Sequence, residues 1–296
     1  MPYASNGDVS IRYEVDGPGA SDGGRGSGGD GGGASASDAE NVEPGGGTAS
    51  DVDEAVVFCG DVGLGAWQFG WQHAGLAGPH TVITPETRGV GQSDAPPGPY
   101  TVEALASDVD AVCTAEGIRN AHLVGYGLGG MVALAYGMAS TRPASLVLVG
   151  TPPSGDAYNP AGVWADPSNP QAVEGSLTGL LSDAFRQRHP DALSRITEWR
   201  LVEDASPAVF EAHRAAVEAF DRSDRLYEAT TPALVVHGRE DTVCPITASE
   251  SLAAGLPRGE SFVVDDARHF VGIEASAAVN DAVVGWLAEH ASDPVG

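Results

Sequence analysis

Apolar and polar positions alternate in blocks along the chain, and the blocks predict strands and helices in turn. Residues 3–15 alternate apolar with polar side chains around Asn6-Gly7, a dipeptide typical of tight turns, which predicts a β-hairpin. Residues 55–59 are an uninterrupted apolar run, as expected of a buried parallel strand. Thr101 precedes a helix whose apolar stripe ends at Gly117.

The remaining blocks extend this alternation to the end of the chain. Further strands are predicted at residues 80–84, 122–125, 145–150, 232–237 and 260–265, and further helices at residues 66–76, 131–138 and 275–290. Strands that alternate with helices predict an α/β fold, in which a mostly parallel central sheet is flanked by helices on both faces. Residues 154–228 break this rhythm with a long helical pattern. We therefore predict a core of residues 1–153 and 229–296 with a helical lid at residues 154–228.

One segment of the core is expected to form no regular structure. Thirteen of the thirty-one residues from 17 to 47 are glycine, and serine, aspartate and alanine fill most of the rest. Such a composition buries too little apolar surface to offset the entropy of ordering the chain. We predict a disordered, Gly-rich insertion at residues 17–50; a binding role is the alternative.

The net charge of the protein limits the kinds of molecule that it is expected to bind. The formal net charge is −26 and the sequence pI about 4.3, and all 15 basic residues are Arg. An acidic surface of this kind argues against nucleic acid and against an anionic membrane as partners, and for a small-molecule substrate or ligand. A strongly negative protein without Lys also suits concentrated salt, which screens the repulsion. We predict a halophilic protein; the alternative is a merely acidic one.

Cysteine usage and the N-terminal residues indicate the compartment. The three cysteines are scattered, with no C-x-x-C spacing, so we expect reduced thiols, no metal site and no cofactor. The first ten residues lack the basic start and apolar core of a signal peptide, and no apolar run is long enough to span a bilayer. These features predict a cytoplasmic protein, and they leave its oligomeric state open.

The stretch with the most chemical information is residues 121–140. A short apolar strand runs into Gly125-Tyr126-Gly127-Leu128-Gly129, and a small-residue helix follows. A strand, a sharp Gly-rich turn and a helix are the context of the G-x-S-x-G nucleophile elbow, in which a strained turn presents the serine hydroxyl. Here Gly127 stands where the serine would be. Glycine relieves the backbone strain of such a turn, but it cannot attack a substrate.

Three further motifs complete a resemblance. Residues 88–93 match R-G-x-G-x-S, residues 237–245 match H-G-x-x-D-x-x-x-P, and residues 265–270 are similar to a histidine loop, DDARHF. In this order the motifs resemble the α/β-hydrolase fold family, in particular its small esterase, lactonase and haloperoxidase-like members. The resemblance covers nearly the whole chain except the Gly-rich insertion. It places the nucleophile, acid and histidine positions at Gly127, Asp241 and His269.

The resemblance also implies a role for each site residue. His269, oriented by Asp241, would be the catalytic base. Backbone N–H groups of Leu128 and Asp61 would form the oxyanion hole, although Cys59-Gly60 stands where the family usually has H-G. The Asp61 carboxylate is itself a candidate nucleophile or extra base; the alternatives are a cap of the helix ahead of Ala66 and simple solvent exposure.

The function remains open between three hypotheses. The first is an enzyme that acts on a small ester, lactone or keto compound through a His–Asp base and water, without a covalent serine intermediate. The second is a catalytically inactive binding protein with the same pocket, and the third is a hydrolase with a displaced nucleophile such as Asp61. We expect Tyr126, Trp67 and Trp164 to contact the substrate; the alternative for Trp164, as for Trp199, is a place in the core of the lid.

Overall fold

A computed structural model describes residues 2–18 and 53–291 of the chain, in which eight strands form one sheet. The insertion predicted to be disordered lies, from residue 19 on, outside the described residues. The strands are β1 (Tyr3–Asn6), β2 (Val9–Asp16), β3 (Glu54–Cys59), β4 (Val82–Pro85), β5 (Asn120–Tyr126), β6 (Pro143–Val149), β7 (Ala233–Gly238) and β8 (Gly259–Val264).

The strand order across the sheet is β1-β2-β4-β3-β5-β6-β7-β8. The first two strands form an antiparallel hairpin, and β2 pairs antiparallel with β4. All other neighbours pair in parallel, from β4 through β3, β5, β6 and β7 to β8. The carboxyl ends of β3, β5, β6, β7 and β8 therefore lie along one edge, where the loops that follow them meet.

Ten α-helices connect and cover the strands within the described residues. They are α1 (Gly70–Leu76), α2 (Val102–Ala115), α3 (Leu128–Ala139), α4 (Pro170–Leu180), α5 (Asp183–Arg188), α6 (Pro190–Glu203), α7 (Pro207–Ala219), α8 (Ile246–Gly255), α9 (Val271–Glu274) and α10 (Ser276–His290). Four short 3-10 turns lie at Ala66–Phe69, Gly155–Ala157, Pro160–Gly162 and Ser223–Glu228. The predicted helix at residues 66–76 is thus a 3-10 turn followed by α1.

The sheet separates two apolar cores, as predicted for a parallel sheet covered on both faces. Successive residues of a strand point to opposite faces. Val57 and Leu123 accordingly lie in the larger cluster with residues of α2 and α3, whereas Val56 and Val124 lie in a second cluster with residues of α1 and α10. The α/β-hydrolase fold with a mostly parallel, helix-flanked sheet is confirmed.

Residues between β6 and β7 contribute four helices, α4 to α7. Their apolar side chains, such as Leu177, Ile196 and Val217, are buried in the larger cluster. This segment is the one predicted as a helical lid, and its role as a lid stays a prediction. No helix among the described residues has both the length and the apolar character needed to cross a membrane.

Candidate active site

The turn at Gly127 keeps the backbone of an elbow although it has no side chain. Gly127 lies between β5 and α3 with φ 47° and ψ −108°, a conformation that a residue with a Cβ adopts only under strain. The two flanking glycines are required by packing: a Cβ on Gly125 or Gly129 would collide with the backbone of Gly129 or Cys59, respectively. The frame of the motif is therefore a consequence of the close approach between strand and helix.

His269 and Asp241 meet beside this turn. Asp241 follows β7, His269 follows β8, and Nδ1 of the histidine lies 2.7 Å from Oδ2 of the aspartate. The other carboxylate oxygen, Oδ1, accepts the backbone N–H groups of Val243 and Cys244 at 2.7 and 3.1 Å. These two bonds fix the carboxylate, so the orientation of the imidazole is fixed with it. Both residues are buried.

The ring also requires a glycine at the end of β6. Gly150 has φ 54°, and a Cβ there would lie 2.9 Å from Cε1 of His269. Only a residue without a side chain lets the imidazole lie against this strand end. The sequence analysis attached no role to Gly150.

Asp61 is the second carboxylate on the ring and is completely buried. Its Oδ2 lies 3.0 Å from Nε2 of His269, on the side opposite Asp241. Its Oδ1 accepts the backbone N–H groups of Val62 at 2.6 Å and Leu128 at 3.0 Å. The hydroxyl of Tyr158 lies 2.7 Å from each of the two carboxylate oxygens and donates a hydrogen bond that they share. All four donors converge on one carboxylate, and we call these five residues the Asp61 cluster.

The Asp61 carboxylate fills the volume that a side chain on residue 127 would occupy. A Cβ built on Gly127 would lie 2.6 Å from Cγ of Asp61 and closer still to its Oδ1 and to the Tyr158 hydroxyl. Leu128 is the first residue of α3, so the carboxylate also lies at the positive end of that helix. This buried position differs from the two structural alternatives predicted for Asp61, which were a cap preceding the helix that begins at Ala66 and simple solvent exposure.

The backbone donors differ from those expected by one residue. The sequence analysis paired the N–H groups of Leu128 and Asp61, but the Asp61 N–H donates to the side chain of Gln68 at 3.0 Å. The N–H of Val62 instead donates to Oδ1 of Asp61 at 2.6 Å. Only the Leu128 donor is common to both arrangements.

The charges of the cluster determine its protonation. Burial by itself would lower the pKa of His269, but the charge and hydrogen bond of Asp241, together with those of Asp61, raise it to about 10. Burial by itself would raise the pKa of Asp241, yet His269 outweighs this effect and lowers it. Burial and the charge of Asp61 raise the pKa of Tyr158 well above its usual value. At neutral pH the ring is therefore a cation that donates to a carboxylate on each side.

The aromatic residues expected to bind substrate have other contacts. The indole N–H of Trp67 donates to Asp204, and its ring meets Phe270 edge-on. Trp164 stacks on Phe210 at 4.3 Å between ring centroids, which fits the alternative of a core position in the helical insertion. Tyr126 is buried against Phe69, and its hydroxyl has no hydrogen-bond partner within the described part of the chain.

Sequence analysis did not find Tyr158. It lies just after β6 at the start of the helical insertion, 2.7 Å from Asp61 and 3.2 Å from Nε2 of His269. No motif marks it, since its place depends on how the loop after β6 folds over the elbow. A buried tyrosine close to the predicted site loops is the only signal that points to it.

The site is sealed in this structure. Asp61 and His269 have no solvent-exposed surface. Clefts of about 410 and 420 Å³ lie nearby, but neither residue lines them; the first is lined by Arg268 and Glu274, the second by Trp67 and Glu203.

Comparison with known proteins identifies the family. The family described as "alpha/beta hydrolase fold" matches residues 59–276, which include the four loops that carry Asp61, Gly127, Asp241 and His269. The chain belongs to the alpha/beta hydrolase fold family.

Relatives of this family member include enzymes of several names. A protein named as carbamate hydrolase RutD from Variovorax paradoxus strain S110 is 30% identical over 76% of this chain and 89% of its own length. The 3-oxoadipate enol-lactonase 1 of Acinetobacter baylyi is 30% identical over 74% of this chain and 83% of its own. The crystal structure of the enol-lactonase from Burkholderia xenovorans LB400 superposes with a TM-score of 0.76 at 23% identity, covering 97% and 100% of the two chains.

Proposed function

We propose that this protein hydrolyses small esters or lactones without a serine acyl-enzyme. His269, oriented by Asp241, handles the proton of the attacking water. The observation that carries the proposal is the 2.7 Å bond between His269 and Asp241, with the other ring nitrogen 3.0 Å from the Asp61 carboxylate that lies above Gly127. The names of the lactonase and carbamate hydrolase relatives support a small substrate with an acyl group.

The absence of a serine sets the expected rate. Serine hydrolases that lack one member of the triad retain an acceleration of about 10³–10⁴ over water. Such a rate suffices for an activated ester or a strained lactone, whose leaving groups depart readily, and it is low for an amide. We therefore propose esters and lactones rather than peptides as the substrate class.

A binding protein without turnover is the second candidate, and one observation favours it. The charged groups of Asp61, His269 and Asp241 satisfy one another, and Asp61 and His269 have no exposed surface. A buried, fully hydrogen-bonded network of this kind rigidifies a protein even where no reaction occurs. Turnover is the property that separates the two candidates.

The acidic composition supports a further proposal about the environment. A net charge of −26 with 41 acidic residues and no Lys fits a cytoplasm rich in salt, where the repulsion between carboxylates is screened. The assay for turnover is therefore run across a range of KCl concentrations.

Release of p-nitrophenol from p-nitrophenyl acetate and butyrate tests the proposed function. We expect wild type to exceed the protein-free rate and His269→Gln to lose about 10²–10⁴-fold, since the variant has no acid–base group. His73→Gln is the matched control, because His73 also pairs with an aspartate, Asp16, but at the surface. We expect it to retain full activity.

Two results would contradict the proposal. A wild-type rate equal to the protein-free rate at every salt concentration favours the binding protein. Full activity in His269→Gln shows that turnover, if present, does not use the histidine.

A further inference from the structure

The two oxygens of Asp61 are held in different ways. Oδ1 accepts two backbone N–H groups, from Val62 and Leu128, in the arrangement of an oxyanion hole. Oδ2 faces Nε2 of the protonated His269 at 3.0 Å. A carboxylate that only filled space would not need different partners for its two oxygens, because hydrogen bonds in any arrangement would compensate its charge.

The division has a consequence for a substrate. Both backbone donors are already engaged by Oδ1, so they cannot stabilise an oxyanion on a substrate carbonyl while Asp61 stays in place. They are positioned to stabilise negative charge on the Asp61 carboxyl group itself. The Tyr158 hydroxyl also donates to Asp61, at 2.7 Å from Oδ2, and must leave that oxygen before it can donate to a substrate carbonyl oxygen.

We propose that Asp61 is the nucleophile that replaces the elbow serine, and that its Oδ2 attacks the acyl carbon of an ester or lactone. The inference rests on the proposed function and adds a covalent step to it. Asp61 reaches the elbow from the loop after β3, and Gly127 makes this possible because it leaves the volume above the turn to the carboxylate.

The first step forms a mixed anhydride. The bond between Oδ2 and the acyl carbon forms, and the bond between that carbon and the alkoxy oxygen breaks. The departing alkoxide takes the proton that Nε2 of His269 carries. The alcohol leaves, and the ring is then neutral beside an uncharged Asp61.

The second step regenerates the carboxylate. Acylation removes the negative charge of Asp61, one of the two charges that keep the ring protonated, so His269 becomes a base. It takes a proton from water, whose oxygen attacks Cγ of Asp61 while Oδ1 develops negative charge against the two N–H groups. The bond between Cγ and Oδ2 breaks, the product acid leaves as a carboxylate with the former Oδ2, and the proton on the new Asp61 carboxyl passes to solvent.

The position of the water oxygen distinguishes this mechanism from direct attack. If His269 activates water against the substrate itself, the water oxygen enters the product acid. If Asp61 is the nucleophile and water attacks Cγ, the water oxygen enters Asp61 and the product acid receives an aspartate oxygen. The backbone donors on Oδ1 favour attack at Cγ, since one donor of this kind contributes about 10²–10³-fold to a rate.

The experiment is a single turnover in H₂¹⁸O with the full-length wild-type protein in excess over p-nitrophenyl acetate. Fragment-ion mass spectrometry then locates ¹⁸O in the peptide that contains Asp61, and the released acetate is analysed in parallel. A protein-free sample corrects the acetate for spontaneous hydrolysis, and protein without ester corrects Asp61 for exchange. We expect one ¹⁸O atom in Asp61 of most molecules that turned over and none in enzyme-produced acetate.

Other outcomes overturn the inference in distinguishable ways. Accelerated hydrolysis with ¹⁸O only in acetate overturns the proposed route, in which water attacks Cγ of an acylated Asp61, and leaves the proposed hydrolase function standing. No acceleration over the protein-free rate overturns the proposed function, and the inference with it.

Discussion

A side chain at residue 127 and the Asp61 carboxylate cannot occupy the same volume, and this gives the most direct prediction. Gly127→Ser would place a Cβ 2.6 Å from Cγ of Asp61, and separations under 3.0 Å are essentially never seen for real Cβ atoms. The carboxylate must therefore leave His269 and its backbone donors. Breaking a buried ion pair costs about 3–5 kcal/mol.

A double-mutant cycle isolates the free energy that is lost when a side chain at residue 127 displaces the Asp61 carboxylate. In Asp61→Ala the carboxylate is already gone, so adding Gly127→Ser costs the strain of the positive φ, about 1–3 kcal/mol, and a shift of the Tyr158 hydroxyl, which would lie closer than 3.0 Å to the same Cβ. We expect the two substitutions to be coupled by about 3 kcal/mol, measured by urea unfolding followed through the fluorescence of the five tryptophans. Gly117→Ser is the control for backbone strain, because Gly117 has φ 71° with nothing within 4 Å of its Cβ position.

The same variants have a functional readout. With Asp61 removed, the hydroxyl introduced by Gly127→Ser lies within reach of His269 in the manner of a serine hydrolase. We expect a fluorophosphonate reagent to label the double variant and leave wild type and Gly127→Ser unlabelled. A coupling energy below about 0.5 kcal/mol, or labelling of Gly127→Ser alone, would refute the claim that Asp61 occupies the place of the serine.

Three further predictions concern the Tyr158 hydroxyl, the protonation of His269 and the net charge of the protein. Tyr158→Phe should lower kcat by about 10-fold with little change in urea stability, because it removes one donor from a carboxylate that keeps three. The raised pKa of His269 means that its contribution to the free energy of unfolding is complete below about pH 6.5 and disappears as the pH rises through about 10; the difference in stability between wild type and His269→Gln should shrink over that window. The midpoint of thermal unfolding should rise with KCl up to molar concentrations, since the net charge is −26; a midpoint independent of salt would argue against a halophilic protein.

The strands and helices were predictable because their signals are local. The apolar run at residues 55–59 gave β3, and the Thr101 cap is observed as a hydrogen bond from the Ala104 N–H to its side chain. The Gly-rich elbow placed the junction of β5 and α3 within a few residues. Observed boundaries differ from the predicted ones where contacts with neighbouring segments determine the end of an element. For example, β4 begins at Val82, whereas the predicted strand began at residue 80.

The pair of His269 and Asp241 was predictable for a similar reason. Each lies in a loop with its own motif, and parallel strands bring the ends of β7 and β8 to one edge of the sheet. The roles of Tyr158 and of the Val62 N–H were not predictable, because they depend on how two loops without motifs fold over the elbow. For Asp61 the sequence left a functional and a structural alternative open, and its burial between His269 and the helix end was the missing observation.

Burial of Asp61 bears on why the elbow lacks its serine. A serine lost by drift leaves a small volume that water or an apolar side chain fills at little cost. A carboxylate in the same place costs several kcal/mol of desolvation unless donors surround it. Here the donors are those that serve a nucleophile and its oxyanion: the imidazole held by Asp241 and the amide of Leu128 at the start of α3. Such donors around a buried carboxylate support the proposal that the reaction is relocated to Asp61 rather than abandoned.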